Sequence, residues 1–262
     1  INTLKVLTLL ERTSIPVASG CHRPLVRPLV TGEAIHGKSG LDGAELPVPQ
    51  AKRITTHAVN FLIDTLRQRD RSVTIIATAP LTNIALMFTL APDVVSKIKR
   101  IVLMGGAICG GNRSPCAEFN IYVDPEAAKI VFESGVPITM VGLDVTEKTL
   151  LTKEEIYGIF KSDTFRNLML FYAQRRAIVR GAVGAVLHDA LAVAAVVDPR
   201  VLRTESLPVA VEIEGDITRG MTVVDRRSKR GETIGNVIEV AVDVDVSRFK
   251  EMLGYYMSKL GI

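Results

Sequence analysis

The sequence predicts an α/β fold with an open, mostly parallel sheet that is flanked by helices and has a mixed antiparallel edge. Three short, near-continuous apolar runs, at 73–77, 100–104 and 137–141, are typical of strands covered on both faces. Helical patterns separate these runs, and strands that alternate with helices pair in parallel through right-handed crossovers. From residue 208 onwards, short strand patterns follow one another without a helix between them, which favours antiparallel pairing. No linker interrupts the composition, so we predict one domain over residues 1–262.

The helices are predicted from apolar residues that recur at spacings of three and four. Asp124, Pro125 and Glu126 favour one helix start, because Asp accepts from free backbone amides, Pro fits the first turn and Glu favours its positive end. The run at 188–197 is apolar on almost every side, which predicts a buried helix. A Gly- and Pro-rich stretch at 14–50 is too long for an ordinary connection and predicts a functional loop. The predicted helices span 2–10, 54–66, 81–90, 125–135, 153–160, 163–176, 188–197 and 246–260, and the late strands span 208–213, 221–224 and 237–242.

Composition and charge exclude several classes of protein. Hydrophobic residues make up 47% of the 262 and charged residues 23%, so the chain has enough apolar surface to fold. No apolar run approaches the roughly 20 residues needed to cross a bilayer, and we therefore expect no membrane partner. The 32 basic residues are scattered among 28 acidic ones, and their one cluster, at 226–230, is predicted to be a polar turn between strands. With no Trp for base stacking, we expect no nucleic-acid partner either.

The three cysteines, Cys21, Cys109 and Cys116, form no CxxC pair, so zinc binding is not predicted. Their odd number, without a signal peptide, favours reduced thiols in a cytoplasmic protein. A bond between Cys109 and Cys116 is the less favoured alternative.

The loop after the second strand, MGGAICGGNRSPCAEFN at 104–120, is the first candidate site. Ligands of open parallel sheets bind beyond the carboxyl ends of the strands, where this loop lies. Its glycines do not match the GxGxxG spacing of a dinucleotide site, which excludes a dinucleotide-dependent oxidoreductase. Asn112, Glu118 and Asn120 together can bind several hydroxyl groups at fixed geometry, as a sugar requires. The alternative interpretation is that the Asn residues cap the loop and that Glu118 is solvated.

A second candidate site is the His188-Asp189 pair, which precedes an apolar helix. Asp189 is either a plain N-cap or a buried metal ligand, and His188 is either a packed imidazole or a titrating acid. His36 lies in the Gly-rich loop, where a single His is usually solvated. His22 and His57 are assigned to surface or helix-face positions.

Five segments in order along the chain resemble the inosine–uridine-preferring nucleoside hydrolase family. They are IHGKSGLDG at 35–43, ATAPLTNIA at 77–85, VLMGGA at 102–107, GNRSPCAEFNIYVDPEAA at 111–128 and LHDALAVA at 187–194. The resemblance implies a nucleoside-hydrolase-like, Rossmann-type core and calcium-dependent hydrolysis of the N-glycosidic bond of ribonucleosides. The substrate would be a small-molecule ribonucleoside, and the protein would be a homodimer or homotetramer.

The resemblance also implies roles for residues at the metal and at the base. Asp189 and the backbone carbonyl of Thr78 would be calcium ligands. His188 would be the catalytic group at the leaving base, with His36 near the same end. A hard cation prefers oxygen ligands, and a protonated His can neutralise a departing base, so these assignments are chemically coherent.

The sugar site implied by the resemblance lies in the loop at 104–120. Asn112, Glu118 and Asn120 would hold the ribose hydroxyls, with Met104 lining the site and Phe119 beside it. Cleavage passes through an oxocarbenium-like state, in which contacts distributed over the sugar can strengthen.

One family motif, the Asp-rich turn DTDxGxDD that supplies most calcium ligands, does not occur in the sequence. The chain opens in a helical pattern at Ile1, and we expect the native protein to carry that turn ahead of it. Without the turn, the alternative function is a non-catalytic nucleoside- or ribose-binding protein. Absence of Trp argues against a purine-specific branch that stacks the base between indoles, and Gln174, Arg175 and Arg176 are predicted to contact the base.

Overall fold

A six-stranded sheet forms the centre of the protein in a computed structural model that describes residues 1–227 and 233–262. The strands of these residues are β1 Val73–Ala77, β2 Ile98–Met104, β3 Ile138–Val141, β4 Leu150–Leu151, β5 Ala185–Val186, β6 Leu202–Val211, β7 Thr222–Val224 and β8 Asn236–Val244. The sheet has the order β1-β2-β3-β8-β6-β7, and β4 pairs with β5 in a separate ladder. The first four strands of this order run parallel, while β6 is antiparallel to both of its neighbours. The predicted fold class is therefore confirmed, and the single domain over 1–262 stays a prediction.

Helices pack against both faces of this sheet. The α-helices of the described residues, of which α8 and α9 pack with β4 and β5 instead, are α1 Asn2–Leu9, α2 Glu33–His36, α3 Ala58–Arg67, α4 Thr82–Leu90, α5 Phe119–Val123, α6 Pro125–Phe132, α7 Leu143–Thr146, α8 Lys153–Ile159, α9 Asp163–Arg180, α10 His188–Val197 and α11 Val246–Lys259. One apolar cluster joins α3, α4 and α6 to the sheet, and a second joins α10 and α11 to β2, β3 and β8. None of these helices is long and apolar enough to cross a membrane.

Three predicted elements need correction: the helix at 54–66, the strand at 208–213 and the buried helix at 188–197. The helix predicted at 54–66 begins only at Ala58, because Ile54 pairs with Ala18 in an isolated bridge and exposed His57 forms the N-cap. The strand predicted from 208 begins at Leu202, since its first half is exposed and polar, which hides a strand from an apolar pattern.

The helix predicted to be buried, α10, is buried on one side only. Val193 and Val197 are 43% and 53% exposed, while Leu191 and Ala192 are fully buried. An all-apolar pattern cannot show which side faces the core, and here it conceals an exposed apolar stripe. The described residues include only 226 and 227 of the basic cluster at 226–230. The polar turn predicted there therefore stays a prediction.

The Gly- and Pro-rich stretch at 14–50 is anchored by side chains of the sheet-flanking helices. Asp124 caps α6 and also accepts from the backbone N–H of Leu25 at 3.0 Å. Asn83, in the first turn of α4, accepts from the backbone N–H of Cys21 at 2.8 Å. These bonds hold the long loop, with α2 inside it, at the edge of the sheet.

Candidate active site

The carboxyl ends of β1, β2 and β3 bring the predicted segments to one edge of the sheet. Thr78 follows β1 directly, and Gly105 after β2 donates to the carbonyl of Val141 at 3.3 Å. The backbone N–H of Leu143 donates to the carbonyl of Gly106 at 3.0 Å, which joins the turns after β2 and β3. Because α10 packs on β2, the start of that helix reaches the same edge.

The turn after β2 is fixed by a side chain from the far end of the sequence. The hydroxyl of Thr222 accepts from the backbone N–H of Ala107 at 2.9 Å and donates to its carbonyl at 2.6 Å. Gly106 has φ +73°, and a Cβ there would lie 2.8 Å from Thr222 and 2.9 Å from Met140. Only glycine fits this close approach without strain. Sequence reasoning missed Thr222, because nothing in a short strand pattern points to a partner 115 residues away.

Asp144, in the first turn of α7, holds the next part of this loop. Its carboxylate oxygens accept from the backbone N–H groups of Ile108 at 2.6 Å and Cys109 at 3.1 Å. The Asp after β3 therefore acts on the backbone of the sugar loop. Cys109 and Cys116 are free thiols, so the structure shows no bond between them.

Glu118 is buried, with 3% of its surface exposed, which contradicts the interpretation of a solvated Glu. It is the N-cap of α5, and its Oε2 accepts from the backbone N–H groups of Gly106, Asn120 and Ile121 at 2.8–3.2 Å. Burial raises the pKa of Glu118 to about 7, the three N–H donors oppose this, and the charge of Asp189 adds to it. Its second oxygen, Oε1, has no partner among the described residues.

Asn112 and Asn120 are oriented by the backbone, so their free atoms are known. Oδ1 of Asn112 accepts from the N–H of Phe119 at 2.8 Å, which leaves its two Nδ2 hydrogens free. Nδ2 of Asn120 donates to the carbonyl of Met104 at 3.0 Å, which leaves its Oδ1 as an acceptor. With Oε1 of Glu118, the loop thus presents two acceptors and one donor group, which is what neighbouring hydroxyls of a sugar can use.

Phe119 and His36 both lie close to Gly32, at the entry to α2. A Cβ on Gly32 would lie 3.9 Å from the Phe119 ring and 3.3 Å from the His36 ring. The His36 ring stacks on Tyr172 of α9, with centroids 5.6 Å apart and planes within 1°. Burial, and then the charge of Arg180, lowers the pKa of His36. His36 is therefore held by stacking on α9, and its position near the leaving base stays a prediction.

Asp189 lies in the first turn of α10 but does not cap it. The N-cap is Leu187, and Asp189 has no hydrogen bond or ion pair within the described residues. Its carboxylate reaches solvent, yet the atoms packed around it desolvate it enough to raise its pKa to about 6. The N-cap alternative is therefore wrong, and an unpaired carboxylate faces the site beside Glu118.

His188 is mostly buried and is surrounded by charged groups. Its Nδ1 lies 2.8 Å from the hydroxyl of Thr146, and its Nε2 lies 3.9 Å from Oε1 of Glu147. Burial, and then the charges of Arg180 and Arg176, lowers the pKa of His188 to about 3. In this environment the ring is neutral at pH 7.

The residues predicted to contact the base on α9 differ in their positions. Gln174 is exposed, and Arg175 donates to the carbonyl of Ala34 in α2 at 2.6–2.9 Å. Arg176 is 8% exposed and forms an ion pair with Glu147. Only Arg176 of the three therefore belongs to the charged group around His188.

A cavity of about 560 Å³ opens beside these groups. It is lined by the turn at 109–112, by Leu143, Asp144 and Glu147, and by Arg180 of α9. It therefore joins the sugar loop to the charged end of the site.

The described residues supply only part of a metal site. No three His, Cys, Asp or Glu side chains in 1–227 and 233–262 are grouped as a metal ion needs. Calcium takes six to eight oxygens, and a carboxylate such as that of Asp189 and a backbone carbonyl such as that of Thr78 are donors of the kind it prefers, so their assignment as two members of a larger set stays a prediction.

A buried carboxylate and two oriented carboxamides beyond a parallel sheet define an α/β protein with a site for a polyhydroxyl ligand. The chain belongs to the inosine-uridine preferring nucleoside hydrolase family, whose model matches residues 1–251. It is a ribonucleoside hydrolase, as the sequence motifs predicted, and members of this family are generally metal-dependent.

Two hydrolases of similar sequence and one of similar structure support this assignment. The pyrimidine-specific ribonucleoside hydrolase RihA of Escherichia coli O1:K1 is 45% identical over 96% of this chain and 82% of its own. RihA of Enterobacter sp. (strain 638) is 41% identical over 100% of this chain and 85% of its own. The structure of a purine-preferring ribonucleoside hydrolase from Gardnerella vaginalis superposes with a TM-score of 0.90 at 34% identity, covering 99% of this chain and 84% of that one.

The buried Glu118 predicts a measurable dependence of stability on pH. Its pKa is raised from 4.5 to about 7 on folding, so the stability it contributes is present below pH 4.5 and is lost as the pH rises through 7. In the presence of a chelator, Glu118→Gln should therefore gain stability over the wild type between pH 5 and pH 8, on the order of 3 kcal/mol. Urea unfolding of both proteins at pH 5 and at pH 8 measures their free energies of unfolding. If the difference between Glu118→Gln and the wild type were the same at the two pH values, this prediction would be wrong.

Proposed function

We propose that this ribonucleoside hydrolase prefers pyrimidine ribonucleosides and that its metal is calcium. The observation that carries the substrate preference is the 41–45% identity, over nearly the whole chain, to two hydrolases named as pyrimidine-specific. The purine-preferring relative is less similar in sequence, at 34% identity, although its structure superposes on this one with a TM-score of 0.90.

In this proposal the ribose lies on the loop after β2. The free Nδ2 of Asn112 donates to one hydroxyl, while Oε1 of Glu118 and Oδ1 of Asn120 accept from others. Met104 lines the sugar site and Phe119 closes it towards α2. These groups are held by backbone bonds before the substrate arrives, so they need little reorganisation as the oxocarbenium-like state forms.

Asp189 and the carbonyl of Thr78 would hold the calcium ion, together with further oxygens. An unpaired carboxylate with a raised pKa gains most from a cation placed beside it. When bound, such an ion lowers the pKa of a water molecule and makes it a better nucleophile.

His188 is proposed to act at the leaving base. If Nδ1 accepts a hydrogen bond from the Thr146 hydroxyl, Nε2 of the neutral ring carries the hydrogen and can donate a hydrogen bond to the base as it departs. His36, stacked on Tyr172, is proposed to border the base at the same end.

We also propose that the protein is a cytoplasmic homodimer or homotetramer. Free cysteines at 21, 109 and 116 support a reducing compartment. Exposed apolar side chains on α10 and α11, such as Val197 and Tyr255, support association.

The substrate preference is tested by comparing kcat/KM for uridine, cytidine and inosine in the full-length protein with calcium present. We expect both pyrimidine nucleosides to exceed inosine by at least about tenfold, which is within what a shaped base pocket can supply. Equal values, or a higher value for inosine, would refute the pyrimidine preference and leave the hydrolase assignment in place.

A further inference from the structure

Glu147, at the C-terminal end of α7, has no role in the functions described above. It follows Thr146, the hydrogen-bond partner of His188, and its side chain is 36% exposed. It lines the same cavity as Asn112 of the sugar loop and Arg180 of α9. Glu147 is therefore placed where a nucleoside seated on that loop would project its base.

The Glu147 carboxylate joins three basic groups that come from two different helices. Its Oε2 accepts from Nη2 of Arg176 in a short ion pair. Its Oε1 lies 3.6 Å from Nη1 of Arg180 and 3.9 Å from Nε2 of His188. Removal of this single carboxylate would release all three groups from one another.

The two arginines of this cluster differ in what they can reach. Arg176 has 9% of its side chain exposed and pairs with Glu147, so it is held in the protein interior. The side chain of Arg180 is 28% exposed and lines the cavity. Arg176 therefore anchors Glu147, and Arg180 is the guanidinium that a ligand can contact.

Within the cluster of Glu147, Arg176 and Arg180 one positive charge is in excess, and the Asp144 carboxylate that also lines the cavity is bound to backbone N–H groups. Two guanidinium groups face one carboxylate, and arginine keeps its charge throughout the working pH range. This charge is present whether or not His188 holds a second proton.

The reaction needs such a charge when the base departs. As the bond between ribose C1′ and the base nitrogen breaks, its electron pair passes to the base, while water adds its oxygen to C1′. The proton released by water ends on the base, so the products are ribose and the neutral base. Until that proton arrives, a departing pyrimidine such as uracil carries negative charge that is spread over its ring nitrogens and exocyclic carbonyl oxygens.

We propose that Arg180 contacts the departing base and stabilises its negative charge, and that Glu147, anchored by Arg176, is the positioning residue that holds Arg180 there. This rests on the proposed pyrimidine nucleoside hydrolysis and assigns a further specificity-determining contact within the same site. Fixed charges aimed at developing charge are effective because they are oriented before the reaction begins.

The test compares two substrates whose leaving groups differ in their need for stabilisation. Uridine leaves poorly, whereas a nitrophenyl riboside leaves without help. We expect Arg180→Met to lower kcat for uridine about 100-fold, the size found when one preorganised donor is removed. Glu147→Gln should lower it about 10- to 100-fold through misplacement of Arg180. Both variants should retain kcat on the nitrophenyl riboside, and Arg180→Lys should recover part of the uridine activity because it keeps the charge.

Lys148→Gln is the matched control, because the neighbouring Lys148 pairs with Asp243 of β8, at 2.8 Å, away from the site. Its kcat should equal that of the wild type on both substrates. Equal losses on both substrates in Arg180→Met, or unchanged uridine turnover, would overturn the proposal. If Glu147→Gln fails to fold, as thermal unfolding would reveal, the more exposed Arg180→Met decides alone. If wild-type protein prefers inosine, the pyrimidine preference fails separately, and the leaving-group comparison is made with inosine.

Discussion

Replacement of Asp189 by alanine is expected to abolish calcium binding and calcium-dependent turnover in the full-length protein. The Asp189 carboxylate has no hydrogen bond or ion pair within the described residues, and desolvation by the atoms packed around it raises its pKa to about 6. Loss of a direct ligand should lower calcium affinity by more than the roughly 10- to 100-fold caused by losing an outer-shell partner. Isothermal titration with calcium measures the affinity, and the rise in Tm with calcium measures the same linkage independently.

Asp198 provides a matched control at the opposite end of the same helix. It pairs with Arg200 and Arg248, both at about 3 Å, and contributes nothing to the site. Asp198→Ala should lose some stability and keep the calcium affinity of the wild type. A folded Asp189→Ala protein that bound calcium as tightly as this control would exclude Asp189 as a ligand.

Substitutions in the sugar loop are expected to lower activity on every nucleoside by similar factors. Glu118→Gln keeps an oxygen for the backbone donors but replaces Oε1, the free acceptor, with an amide donor. A hydrogen bond to a charged group is worth about 1.5–3 kcal/mol, so kcat/KM should fall roughly 10- to 150-fold. Asn112→Ala and Asn120→Ala remove neutral partners and should have smaller effects. Steady-state kinetics with uridine and cytidine measure these ratios.

Glu126→Gln is the control for these sugar-loop variants. Glu126 lies in the first turn of α6, outside the cavity, and pairs with Arg27 of the long loop. A sugar-loop variant that lost activity on one nucleoside and kept it on the other would show that its residue contacts the base.

The alternation of strands and helices could be predicted because it depends on short-range patterns. The run at 137–141 is apolar and β3 is largely buried, as its pattern predicts, whereas β1 at 73–77, whose pattern also predicts two covered faces, lies at the sheet edge with Ile76 37% exposed. The first half of β6, from Leu202 to Leu207, could not be found in this way because it is largely exposed and carries polar residues. The five-residue helix α5 is too short to show a period.

The candidate site was found through the types of its residues, and its geometry was not. Glu118 and Asp189 could be named from sequence, but the burial of Glu118 and the lack of a partner for Asp189 within the described residues depend on chain segments that are distant in sequence. Glu147, Arg180 and Thr222 escaped notice, because a charged residue at a helix end and a threonine in a strand are each commonplace. Their importance arises from what lies opposite them in space.

The hydrogen bonds between Thr222 and Ala107 also bear on the order in which the protein is assembled during synthesis. The turn after β2 receives its support from a strand made more than a hundred residues later. A nascent chain that has already formed β1, β2 and β3 still lacks the group that secures the turn before the sugar loop. Residue 222 must therefore be synthesised before this turn can be secured, so the support of the sugar loop is available only after the sequence of β1, β2 and β3 is complete.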